Sequence, residues 1–238
     1  MERRIRWAVT DRWQVAGVDR GTSFAPYDRL NLGGHVGDVA SRVLANREVV
    51  REAIGADVLV LMNQVHGDTV HVVGDASGGV GDADGLVTDR PGVALAVLVA
   101  DCVPVLLADD AAGVVGVAHA GREGVRLAVV DRALDAMSAL GADESRIRVH
   151  LGPAVCGACY EVPADLRDIV EAAIPGSATT SRRGGPALDL RAGLVAHLRD
   201  RVAEVTVDPA CTIEDERYFS YRRDGVTGRF AGLAWLPS

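Results

Sequence analysis

The sequence predicts a mixed α/β fold of the α+β type, with central, largely buried sheets and flanking helices. The segments "GVALAVLVADCVPVLLADD" and "GVVGVAHAG" are almost continuously apolar, as is typical of strands that are covered on both faces. Other segments, such as "GVRLAVVDRALDAMSALGA", repeat their apolar residues at helical spacing. Hydrophobic residues make up 48% of the chain and aromatic residues only 4%, so Val, Leu and Ala must build the core.

In the first half of the chain, one helix is predicted over residues 39–55, with Asp38 as its N-cap. Strands are predicted to begin at Val58 and at Thr69. The long apolar run over 92–110 divides into two strands at Asp101 and Cys102, and residues 113–121 form a third strand of this kind.

In the second half, an amphipathic helix is predicted over 124–142 and a strand over 145–152. Further helices are expected over 163–176 and 188–205. The Gly- and Asp-rich segment 74–85 and the segment 175–186 are predicted to be surface loops. Because neither has the character of a linker, residues 1–238 are predicted to form one domain.

Charge and hydropathy exclude several classes of protein. The formal net charge of −8 argues against a general nucleic-acid binder, which would carry a basic surface. The chain has no apolar run of membrane-spanning length, and its first residues, "MERRIRWAVTDRW", do not resemble a secretory signal. We therefore expect a cytoplasmic protein without membrane partners, either a monomer or a small homo-oligomer.

The cysteines are expected to be free thiols or metal ligands rather than disulfides, because nothing indicates secretion. The chain has four of them, Cys102, Cys156, Cys159 and Cys211. Cys156 and Cys159 form a C-x-x-C motif, but no second such motif accompanies it. Neither a zinc ribbon nor a thioredoxin-like redox pair is therefore favoured.

Three short segments each place a ligand for a soft metal at a predicted strand end. They are "NQVHGDTV" with His66, "VADCVPV" with Cys102 and "VAHAGREG" with His119. Two imidazoles and one thiolate suit Zn²⁺ with an open fourth position, where a bound water becomes a nucleophile. The same ligand set could hold copper. Spacing alone also permits an ordinary strand-end histidine and a buried cysteine that acts as a small hydrophobe.

The ordered set of motifs resembles the YfiH/YlmD-type laccase-domain family. The resemblance rests on these three segments, on "GPAVCGACYEV", and on two terminal segments, "PYDRLNLGGHVGD" and "CTIEDERYFSYRRDGVTGRFAGLAWL". It covers most of the chain in the same order. It implies that His66, Cys102 and His119 bind zinc at a site that acts on purine nucleosides.

The resemblance implies two kinds of reaction with nucleoside and phosphate as partners. One is phosphorolysis of adenosine, inosine, guanosine and methylthioadenosine, which needs a cation to hold phosphate. The other is hydrolytic deamination of adenosine, which fits attack on the purine ring by a zinc-activated water. An older description of the family is copper-dependent oxidation of phenols.

Further candidate residues lie near these ligands or in the motifs of the family. Cys102, Asp101 and Gln64 are candidate catalytic residues; Asp101 could orient a ligand or act as a base, and Gln64 could bind substrate or a ligand. The candidate substrate-binding residues are Asn31, Arg47, Tyr160 and Arg222. For each, an ordinary structural role is the alternative, such as a solvated helix face for Arg47 and a packed aromatic ring for Tyr160.

One motif departs from the pattern of the family. The family usually has "HAGWRG" where this chain has "HAGREG", so that Arg122 and Glu123 occupy the Trp and Arg positions. If the family arginine holds an anion, Glu123 would repel it, although Arg122 could take its place.

Three other functions remain open at this point. The first is a copper oxidase of phenols, although one site cannot supply several coppers and the chain lacks repeated H-x-H pairs. The second is a cysteine hydrolase or peptidoglycan-editing amidase, in which Cys102 is the nucleophile and His119 its base. The third is a binding or scaffold protein with a decayed site.

Overall fold

The computed structural model describes residues 5–74 and 80–238. The strands are β1 Arg6–Val9, β2 Val58–Leu61, β3 Val70–Val72, β4 Gly85–Thr88, β5 Val93–Val99, β6 Val103–Asp109, β7 Val114–Ala120, β8 Arg148–Leu151, β9 Ala178–Thr180, β10 Pro186–Leu188, β11 Glu204–Val207 and β12 Phe230–Trp235. The α-helices are α1 Ala40–Ile54, α2 Arg122–Arg126, α3 Val129–Ala139, α4 Ala164–Ala173, α5 Leu190–Leu198 and α6 Tyr221–Asp224.

Ten of the described strands form two sheets that pack face to face. One sheet has the order β1-β12-β5-β2 and the other has the order β11-β8-β6-β7-β4-β3. Between them, Val97 of β5 and Phe230 of β12 belong to the same apolar cluster as Leu106 of β6 and Val117 of β7. β9 and β10 pair separately as a small antiparallel sheet.

Helices cover the outer faces of both sheets. Val50 of α1 packs with Ala96 and Leu233 on the four-stranded sheet. Leu134 of α3 and Leu194 of α5 pack on the six-stranded sheet. The predicted mixed α/β fold with buried sheets and flanking helices is therefore confirmed.

The fully apolar segments became central strands, as predicted. Every residue of β5, β6 and β7 is buried, because sheet or helix covers both faces of each strand. The predicted strands near Val58 and Thr69 and the strand over 145–152 correspond to β2, β3 and β8.

The predictions for the helix over 39–55 and for the helix over 124–142 need correction. The N-cap of α1 is Val39 rather than Asp38, whose carboxylate instead accepts hydrogen bonds from Ser23 and Asn31. The helix predicted over 124–142 is divided into α2 and α3, because Ala128 adopts the left-handed conformation with φ of 63°.

Two further segments contain strands that the sequence patterns did not indicate. The helix predicted over 188–205 ends at Leu198, and β11 follows it as a strand parallel to β8. The predicted loop over 175–186 contains β9 and the first residue of β10. Part of the predicted loop over 74–85 lies outside the described residues, but Asp84 near its end is fully buried.

Among the described helices, none combines the length and the apolar character needed to cross a membrane.

Candidate metal-binding site

Two of the three predicted ligands meet at one edge of the six-stranded sheet. β6 and β7 are antiparallel, with Val103 opposite Ala120 and Pro104 opposite His119. Cys102 immediately precedes β6, and His119 lies one residue before the end of β7. This register therefore brings the thiol at the start of one strand beside the imidazole at the end of its neighbour.

The third ligand comes from the loop between β2 and β3, which Asp84 holds in place. The buried carboxylate of Asp84 accepts backbone N–H groups from Val65, His66 and Gly67 at 3.1, 3.0 and 2.6 Å. His66 has a φ of 61°, a left-handed conformation that is uncommon for a residue other than glycine. Asp84 is not among the predicted site residues, because it lies in the segment 74–85, which the Gly- and Asp-rich pattern predicts to be a surface loop.

Asp84 also contacts the second histidine directly. Its Oδ1 lies 2.8 Å from Nδ1 of His119, whose side chain is 4% exposed. This contact occupies Nδ1, so Nε2 is the nitrogen of His119 that is available to bind a metal ion. A carboxylate behind a metal-binding histidine is a common support, because it fixes the orientation of the ring.

The three ligand groups are close enough to share one ion. One ligand atom each from His66, Cys102 and His119 lies within 4.8 Å of the others. The two imidazole rings meet edge to face, with centroids 4.7 Å apart. Gly121 passes directly beside them, since a Cβ atom there would lie 2.9 Å from Cys102 Sγ and 3.3 Å from His66 Cδ2. Donor type, spacing and clearance thus fit a His₂Cys metal site with an open position.

The protonation of the cluster also suits a cation. Burial opposes ionisation of Cys102, but the charge of His119 and hydrogen bonds from His119 and His66 lower the pKa of the thiol from 9.0 to about 6. Burial likewise opposes the charged form of His119, but Cys102 and Asp84 raise the pKa of this imidazole from 6.5 to about 9. Without metal, the site therefore holds a thiolate beside an imidazolium, and a metal would replace the proton on His119.

The cluster lies in the wall of a cavity of about 350 Å³, within the size range of small-ligand pockets. The wall combines apolar strand residues with several cationic side chains. The residues that line it are His35, Gln64, His66, Leu98, Val99, Ala100, Asp101, Cys102, His119, Arg122, Val155, Tyr160, Leu190, Tyr221, Arg222 and Arg229.

Two of the predicted catalytic residues line this cavity and also hold its wall together. Gln64 donates to the Leu98 carbonyl and accepts the Leu98 N–H, both at 2.8 Å. Asp101 accepts the Thr212 hydroxyl at 2.6 Å and the Arg222 N–H at 2.7 Å, one on each carboxylate oxygen. Both side chains thus have internal partners at the cavity.

Two of the predicted substrate-binding residues also face the cavity. The guanidinium of Arg222 lies 5.2 Å from the centre of the Tyr160 ring. Burial raises the pKa of the Tyr160 hydroxyl, so this group is a neutral donor at physiological pH.

Asn31 and Arg47 do not line the cavity. Asn31 is fully buried, and its side-chain oxygen Oδ1 accepts the backbone N–H groups of Gly33 and Arg229, both at 2.9 Å. Arg47 donates twice to the Leu32 carbonyl, at 2.9 and 2.8 Å. Both residues therefore organise the segment before α1 that carries His35.

The departure at "HAGREG" has a simple structural consequence. Glu123 faces Arg126, with which it pairs at 2.9 Å, and does not line the cavity. Arg122 lines the cavity and pairs weakly with Glu123 at 3.4 Å. The acidic residue therefore does not place its charge in the pocket.

His35 and Arg229 also line the cavity, although neither is among the predicted site residues. Arg229 is half-buried and donates to the Gly228 carbonyl at 2.9 Å, and His35 lies near it. Burial, together with the charges of Arg229 and Arg47, lowers the pKa of His35. The only signal was their position in the two terminal motifs, "GGHVGD" and "TGRF".

Known proteins resemble this chain over nearly its full length. A family model described as "Multi-copper polyphenol oxidoreductase laccase" matches residues 12–237. A protein of Streptomyces griseus named purine nucleoside phosphorylase is 51% identical, with 97% of this chain and 94% of that protein covered. A protein with the same activity in its name, from Mycobacterium tuberculosis, is 52% identical, with 98% and 92% covered.

The fold is shared with solved structures as well. YlmD from Geobacillus stearothermophilus is 30% identical and superposes with a TM-score of 0.88, with 98% of this chain and 92% of that one covered. The Neisseria meningitidis protein NMB0706 is 36% identical, with a TM-score of 0.87 and coverage of 98% and 95%. With the family model and relatives agreeing over this length, the chain belongs to the YfiH/YlmD-type laccase-domain family.

Proposed function

We propose that this chain is a purine nucleoside phosphorylase that depends on a metal ion held by His66, Cys102 and His119. The observation that carries the proposal is the shared cavity, in which this ligand cluster faces three arginines, Arg122, Arg222 and Arg229. Relatives about half identical to the chain bear the name of this activity. We further propose zinc as the ion, because zinc binds both imidazole nitrogen and thiolate sulfur, and three protein ligands leave the open position of a catalytic zinc site.

The arginines of the cavity suit the binding of phosphate. Guanidinium groups hold phosphate oxygens through charge-assisted hydrogen bonds, and three of them face this cavity. In phosphorolysis, a phosphate oxygen forms a bond to C1′ of the ribose while the bond from C1′ to the purine nitrogen breaks. The arginines would orient the attacking phosphate, and the neutral Tyr160 hydroxyl would donate to the nucleoside.

The metal supplies Lewis-acid chemistry when bound, because it polarises an oxygen or lowers the pKa of a water molecule. This chemistry would serve the proposed second reaction, hydrolytic deamination of adenosine, as well as binding of the nucleoside. Asp84 contributes by holding His119 at Nδ1 and by fixing the loop of His66. Adenosine, inosine, guanosine and methylthioadenosine are the proposed substrates.

Product analysis with zinc-loaded protein tests this function. Adenosine with phosphate should give adenine and ribose 1-phosphate, and adenosine without phosphate should give inosine if deamination also occurs. Arg229→Met should raise the KM for phosphate, whereas Arg20→Met, which changes an exposed arginine paired with Glu52, should not. The proposal would be contradicted if the protein contained copper in stoichiometric amount and turned over a phenol but no nucleoside. That result would favour an oxidase.

A second candidate function, a cysteine hydrolase, has one specific observation in its favour. Cys102, His119 and Asp84 are arranged in the order of a nucleophile, its base and the carboxylate that orients the base. Cys102→Ser separates the two functions. A variant that keeps its zinc yet loses activity towards a peptide or amide substrate would favour the hydrolase.

A further inference from the structure

A second group of metal-ligand side chains lies outside the cavity just described. It consists of Cys156, Cys159, Cys211 and Glu214, each of which offers one ligand atom within 4.8 Å of the other three. Ligand atoms about 2.3 Å from a tetrahedral zinc stand about 3.8 Å apart. The spacing of the four side chains is therefore compatible with a single ion at their centre.

Two distant segments of the chain build this cluster through backbone contacts. Ala154 and Cys211 form a parallel bridge, and the Thr212 N–H donates to the Ala154 carbonyl at 3.2 Å. The Cys156 N–H points at Cys211 Sγ, 3.4 Å away. These contacts give the isolated C-x-x-C motif the additional ligands that the sequence pattern lacked.

Each segment also folds back on itself so that its own pair of ligands converges. In the first, the Cys159 N–H donates to the Cys156 carbonyl at 2.9 Å, which closes the C-x-x-C turn. In the second, the Glu214 N–H donates to the Cys211 carbonyl at 3.0 Å. Each turn thus presents two ligands to the same point.

The surroundings compensate the negative charge of such a site. Three thiolates and a carboxylate carry four negative charges against two positive charges on zinc. The guanidinium of Arg182 pairs with Glu214, and Arg183 and Arg222 line the adjoining cavity together with Cys159 and Glu214. Arginines in these positions would offset the remaining negative charge.

We propose that Cys156, Cys159, Cys211 and Glu214 form a second metal site, which holds a structural zinc ion. Four protein ligands leave no open position, and closed four-coordinate sites of this kind serve stability rather than catalysis. Binding would release one proton from each of the three thiols, with no change of oxidation state.

The site would fix part of the wall of the first cavity. Tyr160, which lines that cavity, directly follows Cys159, and the Thr212 hydroxyl next to Cys211 donates to Asp101 at 2.6 Å. An ion that joins the two segments would therefore fix the position of Tyr160 relative to Asp101 in the cavity wall. Its loss should loosen the cavity wall without touching His66 or His119.

Zinc content of the intact, reduced protein tests the proposal. Purified wild-type protein should carry two zinc ions per chain, and Cys159→Ser should carry one. His66→Ala, the matched control, should also lose one ion but keep the second. In the His66→Ala background, added Co²⁺ should give the strong thiolate-to-metal charge-transfer absorption of a three-sulfur site, and Cys159→Ser in that background should weaken it.

A measurement on the wild-type chain covers the case in which Cys159→Ser does not fold. Zinc should protect Cys156, Cys159 and Cys211 from alkylation, and chelation should expose all three, as read by mass spectrometry of peptides. Equal zinc content in wild type and a folded Cys159→Ser would overturn the proposal. So would unchanged alkylation of these cysteines with and without zinc, or a disulfide among them in the protein as isolated.

Discussion

At the scale of single residues, the candidate site depends on one buried carboxylate. The two oxygens of Asp84 accept three backbone N–H groups from the His66 loop and contact His119 Nδ1. One side chain thus positions two of the three candidate ligands, His66 and His119. Its position explains why the loop before β3 approaches the end of β7.

Asp84→Asn should weaken zinc binding by about 10- to 100-fold, because an amide supplies one acceptor oxygen where the carboxylate supplies two. Competition with a chelator of known affinity measures this change. Asp82→Asn is the matched control, since Asp82 is an exposed carboxylate two residues away that pairs with Asn63. Equal zinc affinity of the Asp84 variant and the wild type would show that Asp84 does not support the ligands.

The reactivity of Cys102 in metal-free protein gives a second prediction at this scale. The lowered pKa predicts that the rate of alkylation at Cys102 rises with pH with a midpoint of about 6, well below 9.0 for an ordinary thiol. His119→Gln removes the neighbouring cation and should move the midpoint upward. Mass spectrometry of the Cys102 peptide measures the rate; a midpoint near 9 in the wild type would rule out the thiolate–imidazolium pair.

The sequence indicated the three candidate ligands because each follows or ends a recognisable apolar segment and lies in a family motif, and the structure brings the three side chains together. Asp84 could not be predicted, since nothing local distinguishes a buried aspartate from the exposed ones around it. Its partner His119 lies 35 residues further along the chain. Likewise, the C-x-x-C motif gave no sign of Cys211 and Glu214, which only the bridge between Ala154 and Cys211 brings near.

At the scale of elements, the two sheets approach each other closely where β12 packs on β6. A Cβ atom at Gly232 of β12 would lie 2.9 Å from both Leu106 Cδ2 and Pro104 Cβ. Only glycine lets the two sheets approach this closely. Since Pro104 pairs with His119, this contact also supports the sheet edge that carries the ligands.

Gly232→Ala should lower the free energy of unfolding by about 1–3 kcal/mol, because the added methyl group overpacks the space between the sheets. Urea denaturation measures the loss. Gly81→Ala serves as the control, because nothing lies within 4 Å of a Cβ atom placed there. Equal stability of the two variants would show that the sheets can adjust without cost.

The elements that were predicted correctly are those whose pattern reflects burial. The strands β5, β6 and β7 are apolar throughout because both faces are covered. The break between α2 and α3 could not be foreseen, since Ala128 takes the left-handed conformation without a glycine or proline to mark it. The strand β11 has only partly buried and exposed residues and lies at a sheet edge, so its pattern carries little signal.

At the scale of the whole molecule, buried carboxylates link stability to pH. Asp109, at the end of β6, is fully buried and accepts N–H groups from Ala111, Ala112 and Asp143. Burial opposes its charge, but these bonds and Arg146 outweigh burial and lower its pKa. Its contribution to stability is therefore present above the unfolded-state pKa and is lost as pH falls through the lower folded-state pKa.

Asp109→Asn should make the free energy of unfolding less sensitive to acid. The wild type should lose stability as pH falls below about 4, the ordinary range of an aspartate, and the variant should lose less over the same range. Urea denaturation at a series of pH values measures both curves. If the free energy of unfolding fell equally with pH in both proteins, Asp109 would not be the group that makes the wild type sensitive to acid.

Phosphorolysis of adenosine by metal-stripped protein to which zinc is returned is the most direct test of the proposed metal-dependent activity. We expect the stripped, folded wild type to be inactive and to regain turnover as zinc is added. His119→Ala, which leaves the four ligands at Cys156, Cys159, Cys211 and Glu214 unchanged, should remain inactive at every zinc concentration. Full turnover by the stripped wild type, or by zinc-treated His119→Ala, would contradict a metal-dependent reaction at His66, Cys102 and His119.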